Sequence, residues 1–202
     1  MRVRKSAEDR KAEILRAALA LAYKVGPHQV TTTMISDRCG LTQPALYKHF
    51  KSKDEIWAAA TNDLCGRIAR NIATATRNET TPRGRLRQLI LSHLQLVHDT
   101  PALPAFMVAH DSRGLQGIER ARVQSGMSGL FQAMVGAIED GRNTGSFRAD
   151  IDTRDMATLL FGVIQSLVLR LLVTRDSSKL LSDGARLVDL QLSVFEWHEE
   201  NK

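Results

Sequence analysis

The stretch that most constrains this chain is Thr31 to Glu55, TTTMISDRCGLTQPALYKHFKSKDE. It reads as two short helices joined by a tight turn, with a third starting just behind. A run of threonine hydroxyls at Thr31, Thr32 and Thr33 can accept the orphan N–H groups of the first helix. Ile35 and Cys39 stand four apart and share its inner face. Gly40 ends that helix cheaply, because only glycine adopts positive φ without a Cβ clash. Leu41 plugs the turn, Thr42 caps the next helix, and Pro44 falls in its first turn, where a missing N–H costs nothing. Leu46 and Phe50 again point inward, which leaves Gln43, Ala45, Tyr47, Lys48 and His49 on or near the outer face. A short helix with a basic, hydrogen-bonding outer face, held by a glycine turn against another helix, is a helix-turn-helix.

Charge agrees with that reading. Residues 1–57 carry eleven Lys/Arg against six Asp/Glu, a net +5, and the rest carries seventeen against sixteen, a net +1. The positive field therefore belongs to the segment that would meet phosphates. Met1 to Lys5 is expected to form a basic arm. Ser6 and Asp9 form a capping box with Asp in place of Glu. The first helix then places Ile14, Ala17, Ala18, Leu21, Ala22 and Val25 at three-four spacing, and Gly26 and Pro27 end it.

The stretch resembles the DNA-binding domain of the TetR family of transcriptional regulators. The likeness rests on Thr32 and Thr33 before Ile35, on the CGLTQPALYKHFKSKDEI run and on the amphipathic helix upstream, and it extends from about Arg10 to Leu64. Ser36 and Cys39 stand where the family often has alanine, and Pro44 where a smaller residue is common; the last bears on the operator sequence. The resemblance implies a dimer whose last two long helices form the interface. It also implies a small effector that enters the helical body and moves the helix linking it to the reading domain.

Beyond the core stretch, Ser52 and Glu55 form a second capping box, and the helix behind it runs through Ile56, Ala59, Ala60 and Leu64. Asn78 to Gly84 (NETTPRG) reads as a linker. Leu86, Leu89, Ile90, Leu94 and Val97 mark the next helix, which Asp99 to Pro104 breaks. A short helix around Ala105 to His110 is followed by a long one from about Gly117 to Thr144. Asp152 and Asp155 cap a helix that is apolar nearly all round, so more than one side must be covered. With the last helix, about Ser182 to His198, it would form a four-helix interface between two chains. The dimer-forming residues expected are Phe161, Leu167, Leu171, Leu187, Leu190 and Val194. No strand pattern or repeat appears. The fold expected is all-α, about nine helices, with a helix-turn-helix domain over residues 1–55 and a regulatory and dimerisation domain over 56–202.

The DNA contacts expected divide by chemistry. Gln43 can pair its amide with adenine, Ala45 can meet a thymine methyl, and Pro44 lies among these base readers. Thr33, Thr42, Tyr47, Lys48 and Lys53 are placed to grip phosphates, which fix register without reading sequence, and His49 either does the same or seals the domain edge. Paired reading heads imply double-stranded DNA with a pseudo-palindromic operator. Leu64, Ile68, Phe106, His110, Phe131, Met134, Phe161 and Gln165 are the candidates for lining an effector pocket. Most are apolar, which suits a hydrophobic effector, and His110 and Gln165 supply polar groups that need partners.

Cys39 and Cys65 lack metal-ligand spacing and fit a reducing cytoplasm, with the protein on the nucleoid. The apolar run from Met156 to Val173 is interrupted by Gln165, Ser166 and Arg170, so no membrane span is expected. No phosphate-binding glycine loop, GxSxG elbow or HExxH pair is present, and His93 and His98 are five apart. GMSGL at Gly126 to Leu130 offers small residues for helix contact. The expectation is a regulator, most simply a repressor, with no enzymatic activity and no cofactor. The alternatives are an effector-independent architectural or cell-division factor on the same scaffold, and an enzyme.

Overall fold

The first helix starts where the Ser6 hydroxyl accepts the Asp9 N–H at 3.0 Å and donates to the Asp9 carboxylate at 2.7 Å. The computed structural model describes residues 6–104 and 117–196. Eight helices are named here: α1 (Ala7–Val25), α2 (Thr32–Cys39), α3 (Gln43–Tyr47), α4 (Lys53–Asn78), α5 (Pro82–Asp99), α6 (Gly117–Asn143), α7 (Thr153–Thr174) and α8 (Leu180–Phe195). Residues 103 and 104 are also helical. Among the described residues there is no strand, only an isolated bridge between Phe147 and Glu196. The all-α class expected from the sequence is therefore what the chain forms. The basic arm Met1–Lys5, the short helix around Ala105 to His110 with its candidates Phe106 and His110, and Trp197 and His198 lie outside the described residues.

The chain divides into two compact units, and α4 and α6 each run from one into the other. The first unit comprises residues 1–65 and 100–124. Its core is built from Ile14, Ala17, Ala18 and Ala22 of α1, Ile35 and Cys39 of α2, Leu46 of α3, Phe50, and Ile56, Trp57 and Ala60 of α4, all buried. Leu21 and Val25, expected inward on α1, are half-buried, and Leu19 is buried. Methyl-sized residues at Ala17, Ala18 and Ala22 let α2 lie close against α1.

The second unit comprises residues 66–99 and 125–202. The linker expected over Asn78 to Gly84 is shorter, because Pro82 opens α5 at a position that needs no N–H and the Thr81 hydroxyl accepts the Gly84 N–H at 3.1 Å. Asp152 caps α7, accepting from the Arg154 and Asp155 N–H groups at 2.7 and 3.2 Å. Helix α8 packs against α5 and α7. The α5–α8 approach is set by Gly184, where a Cβ would collide with Leu94 Cδ1. The salt bridge from Arg170 to Asp183, at 2.7 Å, ties α7 to α8.

Helix α7 is long and apolar enough to cross a membrane by length and composition alone, with 33% of its most apolar window buried in the protein. Its inner face is Met156, Leu160, Ile164, Leu167 and Leu171. Leu167 and Leu171, expected at a dimer interface, are thus core residues. They continue the three-four spacing of Leu160 and Ile164, so they turn toward α5 and α8 instead. The exposed apolar residues of α7 are Leu159, Leu169 and Val173. On α8 they are Leu190 and Val194, as expected, with Leu187 half-buried beside them.

The effector-lining candidates also separate. Ile68, Met134 and Leu64 are buried, and Phe131 meets Phe161 edge to face with ring centroids 5.8 Å apart. Leu64 belongs to the first unit and the other four to the second. Gln165 is exposed, because it lies opposite the Ile164–Leu167 face of α7, so it does not bring a polar group into the core.

Candidate nucleic-acid interface

Backbone geometry makes the turn between α2 and α3. Gly40 sits at φ 62°, ψ 37°, its N–H donating to the Asp37 carbonyl at 3.1 Å, while the Leu41 N–H donates to the Ser36 carbonyl at 2.9 Å. This pair of bonds is a Schellman closure, and it satisfies two carbonyls that would otherwise be orphaned. At the other end, the Thr31 hydroxyl accepts the Met34 N–H at 3.2 Å, so the first of the three threonines is the cap. The Thr42 hydroxyl accepts the Ala45 N–H at 3.4 Å and starts α3. Ser36 is 1% exposed, and its hydroxyl bonds the Thr32 and Thr33 carbonyls at 3.0 and 2.9 Å. A hydroxyl is thus accommodated where alanine would leave none to satisfy. The Cys39 thiol lies 4.0 Å from the Glu13 carbonyl of α1.

Two side-chain bonds join the outer edges of the helices. Gln43 Nε2 donates to Thr33 Oγ1 at 2.5 Å, and the hydroxyls of Tyr47 and Thr32 stand 3.4 Å apart. Gln43 keeps its carbonyl and one N–H for a base edge, which is what adenine requires. The Thr33 hydroxyl, already accepting, keeps its proton for a phosphate oxygen. Thr42, Gln43, Pro44, Tyr47 and Lys48 are exposed, and Ala45 and His49 are half-buried. Helix α3 is only five residues long, so this face is compact.

Behind it, the Ser52 hydroxyl accepts the Glu55 N–H at 3.1 Å, and the Glu55 carboxylate accepts the Lys51 N–H at 2.5 Å. The capping box is shifted by one residue from the usual reciprocal form. Lys53 is half-buried, with its ammonium donating to the Val30 carbonyl at 3.2 Å. That bond uses one of three ammonium protons and fixes the charge at the N-terminus of α4, where the helix dipole adds to it. Lys11 lies over the Phe50 ring at 5.7 Å, a further cation held in the same unit. The bonds from Gln43 to Thr33 and from Tyr47 to Thr32 go beyond the sequence expectations. Their only signal there is a set of hydrogen-bonding side chains at the facing ends of two short helices.

Nothing in this arrangement assembles a nucleophile, base and oxyanion donor. It presents an amide, hydroxyls and ammonium groups on one surface, which suits base edges and phosphates.

Comparison with known proteins gives the same reading. Residues 14–60 match the profile of bacterial regulatory proteins, tetR family. Residues 82–182, half of the chain, match the tetracyclin repressor-like C-terminal domain. The HTH-type transcriptional regulator TtgR of Pseudomonas putida is 27% identical over 205 residues, covering 96% of this chain and 95% of that one. The HTH-type transcriptional repressor KstR2 of Rhodococcus jostii is 30% identical over 151 residues, covering 71% and 70%. The solved structure of the ketosteroid transcriptional regulator KstR2 of Mycobacterium tuberculosis superposes with a TM-score of 0.76 at 18% identity, covering 94% of this chain and 96% of that one. The chain belongs to the TetR family and is a DNA-binding transcriptional regulator.

Proposed function

We propose that the chain works as a homodimer that represses transcription from a pseudo-palindromic operator and is released by a small hydrophobic effector. The observation that carries the dimer is the distribution of exposed apolar side chains. Among the described residues the large exposed ones are Leu159, Leu169 and Val173 on α7, Leu190 and Val194 on α8, and Tyr47 on the reading face. Monomeric surfaces rarely gather apolar residues this way on two adjacent helices. A second copy covering both would make a four-helix interface and set two α3 helices on one side of the assembly.

In this reading residues 1–55 form the reading domain and residues 56–202 the regulatory and dimerisation domain, with the first turns of α4 completing the reading domain's core. Gln43, Pro44 and Ala45 face bases, and Thr33, Thr42, Tyr47, Lys48, His49 and Lys53 hold phosphates. The effector meets the Phe131–Phe161 pair, Met134 and Ile68, all of the second unit. The protein acts in the cytoplasm, on the nucleoid.

The test is a promoter-binding assay with the full-length protein against a panel of apolar compounds. One should release the operator, and Phe161→Trp should change that response while effector-free binding stays intact. Loss of effector-free binding in Phe161→Trp would assign Phe161 to folding. If no compound released the operator and binding were dispersed along the chromosome, an effector-independent architectural role would be favoured.

A further inference from the structure

The second unit contains a polar cavity unlike the apolar interior around Phe131 and Phe161. It is an open groove of about 330 Å³ between α4 and α5. Arg67, Arg70 and Asn71 of α4 line one wall, and Ser92, Gln95, Leu96 and Asp99 of α5 the other. The Asn71 amide donates to the Ser92 carbonyl at 3.1 Å, which spans the groove and fixes the register of the two helices. The short 79–81 connection brings the chain back from α4 into α5, and both arginines line the groove with Gln95 and Asp99.

Charge and geometry select the ligand. Two guanidinium groups and one carboxylate leave the groove at net +1. Arg67 is half-buried and already engaged, and Asp99 accepts from Gln95 Nε2 at 2.8 Å. Arg70 is exposed and forms no ion pair among those resolved. Its Nη1 lies over Gly66, where a Cβ would stand 3.3 Å away. A glycine inside a helix costs about 1 kcal/mol relative to alanine. Here it lets the guanidinium lie close against the backbone of α4. The planar fork of an arginine matches a carboxylate in two parallel hydrogen bonds. A monoanion balances the net charge, whereas a dianion would be repelled by Asp99. The volume is at the low end for ligand pockets, and its hydrogen-bonding lining suits a ligand that is polar beyond its carboxylate.

We propose that this groove binds a small polar monocarboxylate, its carboxylate on the Arg70 guanidinium and its hydroxyl or amino group toward Gln95 and Asp99. The site is separate from the apolar effector site proposed above and stands whether or not that one is occupied. It places a second chemical signal on α4, the helix that continues into the reading unit.

The experiment is equilibrium dialysis of the full-length protein with radiolabelled 3-hydroxybutyrate, with its neutral methyl ester and inorganic phosphate as competitors. The expected result is one saturable site per chain, with the ester and phosphate at least about tenfold weaker. Arg70→Ala should weaken binding by roughly 10- to 100-fold, through loss of a charge-assisted bond pair. Arg70→Lys should recover part of it. Because Arg70 is exposed, Arg70→Ala should keep the parent's helicity and operator affinity without ligand. Three results would overturn the proposal: no saturable uptake, uptake unchanged in a folded Arg70→Ala protein, or phosphate binding as tightly as the monocarboxylate.

Discussion

Gln43 on α3 donates its amide N–H to the Thr33 hydroxyl on α2 at 2.5 Å, so the residue best suited to read a base is held by the helix before it. A free glutamine on the surface must lose rotamer freedom when it binds. Thr33 removes part of that cost in advance. Gln43→Ala should therefore flatten preference at one symmetric base step, by about 1–3 kcal/mol or roughly 5- to 150-fold. Thr33→Val should weaken preference at the same step by less, about 0.5–1.5 kcal/mol. Anisotropy titrations against single-step operator variants decide this. Unchanged preference in Thr33→Val, with preference lost in Gln43→Ala, would mean that the bond does not position the amide.

The two lysines of the interface should differ. Lys48 is exposed at the end of α3, whereas Lys53 also holds the Val30 carbonyl. Lys48→Ala should weaken binding to all sequences alike. It should lower the slope of log K against log salt by about 0.9 for each phosphate no longer neutralised, or roughly 2 for a dimer. Thermal stability should not change. Lys53→Ala should flatten the slope in the same way and also lower the melting temperature, since a carbonyl loses its donor. A slope unmoved by either substitution would remove these residues from the phosphate-binding set.

The apolar stripe on α7 and α8 makes a prediction about assembly. Leu169→Glu combined with Leu190→Glu sets charges where two copies would meet, and both residues are more than half exposed in the single chain. Sedimentation velocity should show a monomer with parental helicity, and operator affinity should fall at least about 100-fold as the two heads separate. Leu167→Ala is the contrast. It creates a cavity in the core and should cost about 2–5 kcal/mol of stability. A dimer that survives the double charge substitution would move the interface elsewhere.

His93 is 3% exposed on the inner face of α5, and its Nδ1 has no hydrogen-bond partner among the described residues. Burial holds its pKa down to about 4 against an ordinary 6.5. The unfolded chain therefore binds a proton that the folded one refuses between these values. Stability is unaffected above pH 6.5, falls as pH drops from 6.5 to 4, and levels below 4. The full loss is about 3 kcal/mol. His93→Leu should remove that part of the slope in urea unfolding followed across the same pH range. An unchanged slope would mean that His93 is protonated in the fold or that other groups set the dependence.

Much of the reading unit is legible in the sequence because its signals are local. Capping hydroxyls at Ser6, Thr31, Thr42 and Ser52, a left-handed glycine at Gly40 and inward pairs four apart each depend on a few neighbouring residues. The second unit is less legible. Helix α7 carries leucine, isoleucine or valine around most of its circumference, so periodicity alone does not tell the inward Leu167 and Leu171 from the outward Leu169 and Val173. The packing of α5 and α8 against one side decides that. Gln165 reads as a buried polar group because its neighbours are apolar, yet its place on the helix turns it out. Arg67 and Arg70 carry no local signal of a groove, since nothing in the sequence says that α5 brings Ser92, Gln95 and Asp99 to line it with them. The spacing of His93 and His98 speaks only to metal binding, whereas the burial of His93 follows from lying with Leu89, Ile90 and Leu96 on one face of α5.

The central claim is that two α3 faces, paired through α7 and α8, read one symmetric site. Selection of the full-length protein on a pool of randomised duplexes tests it most directly. The predicted outcome is a pseudo-palindrome with half-sites about one helical turn apart, centre to centre, or a multiple of that spacing. Its preference should fade at one equivalent position in both halves when Gln43→Ala is selected in parallel. Enrichment of a single unpaired half-site, or a palindrome identical in the Gln43→Ala selection, would contradict it.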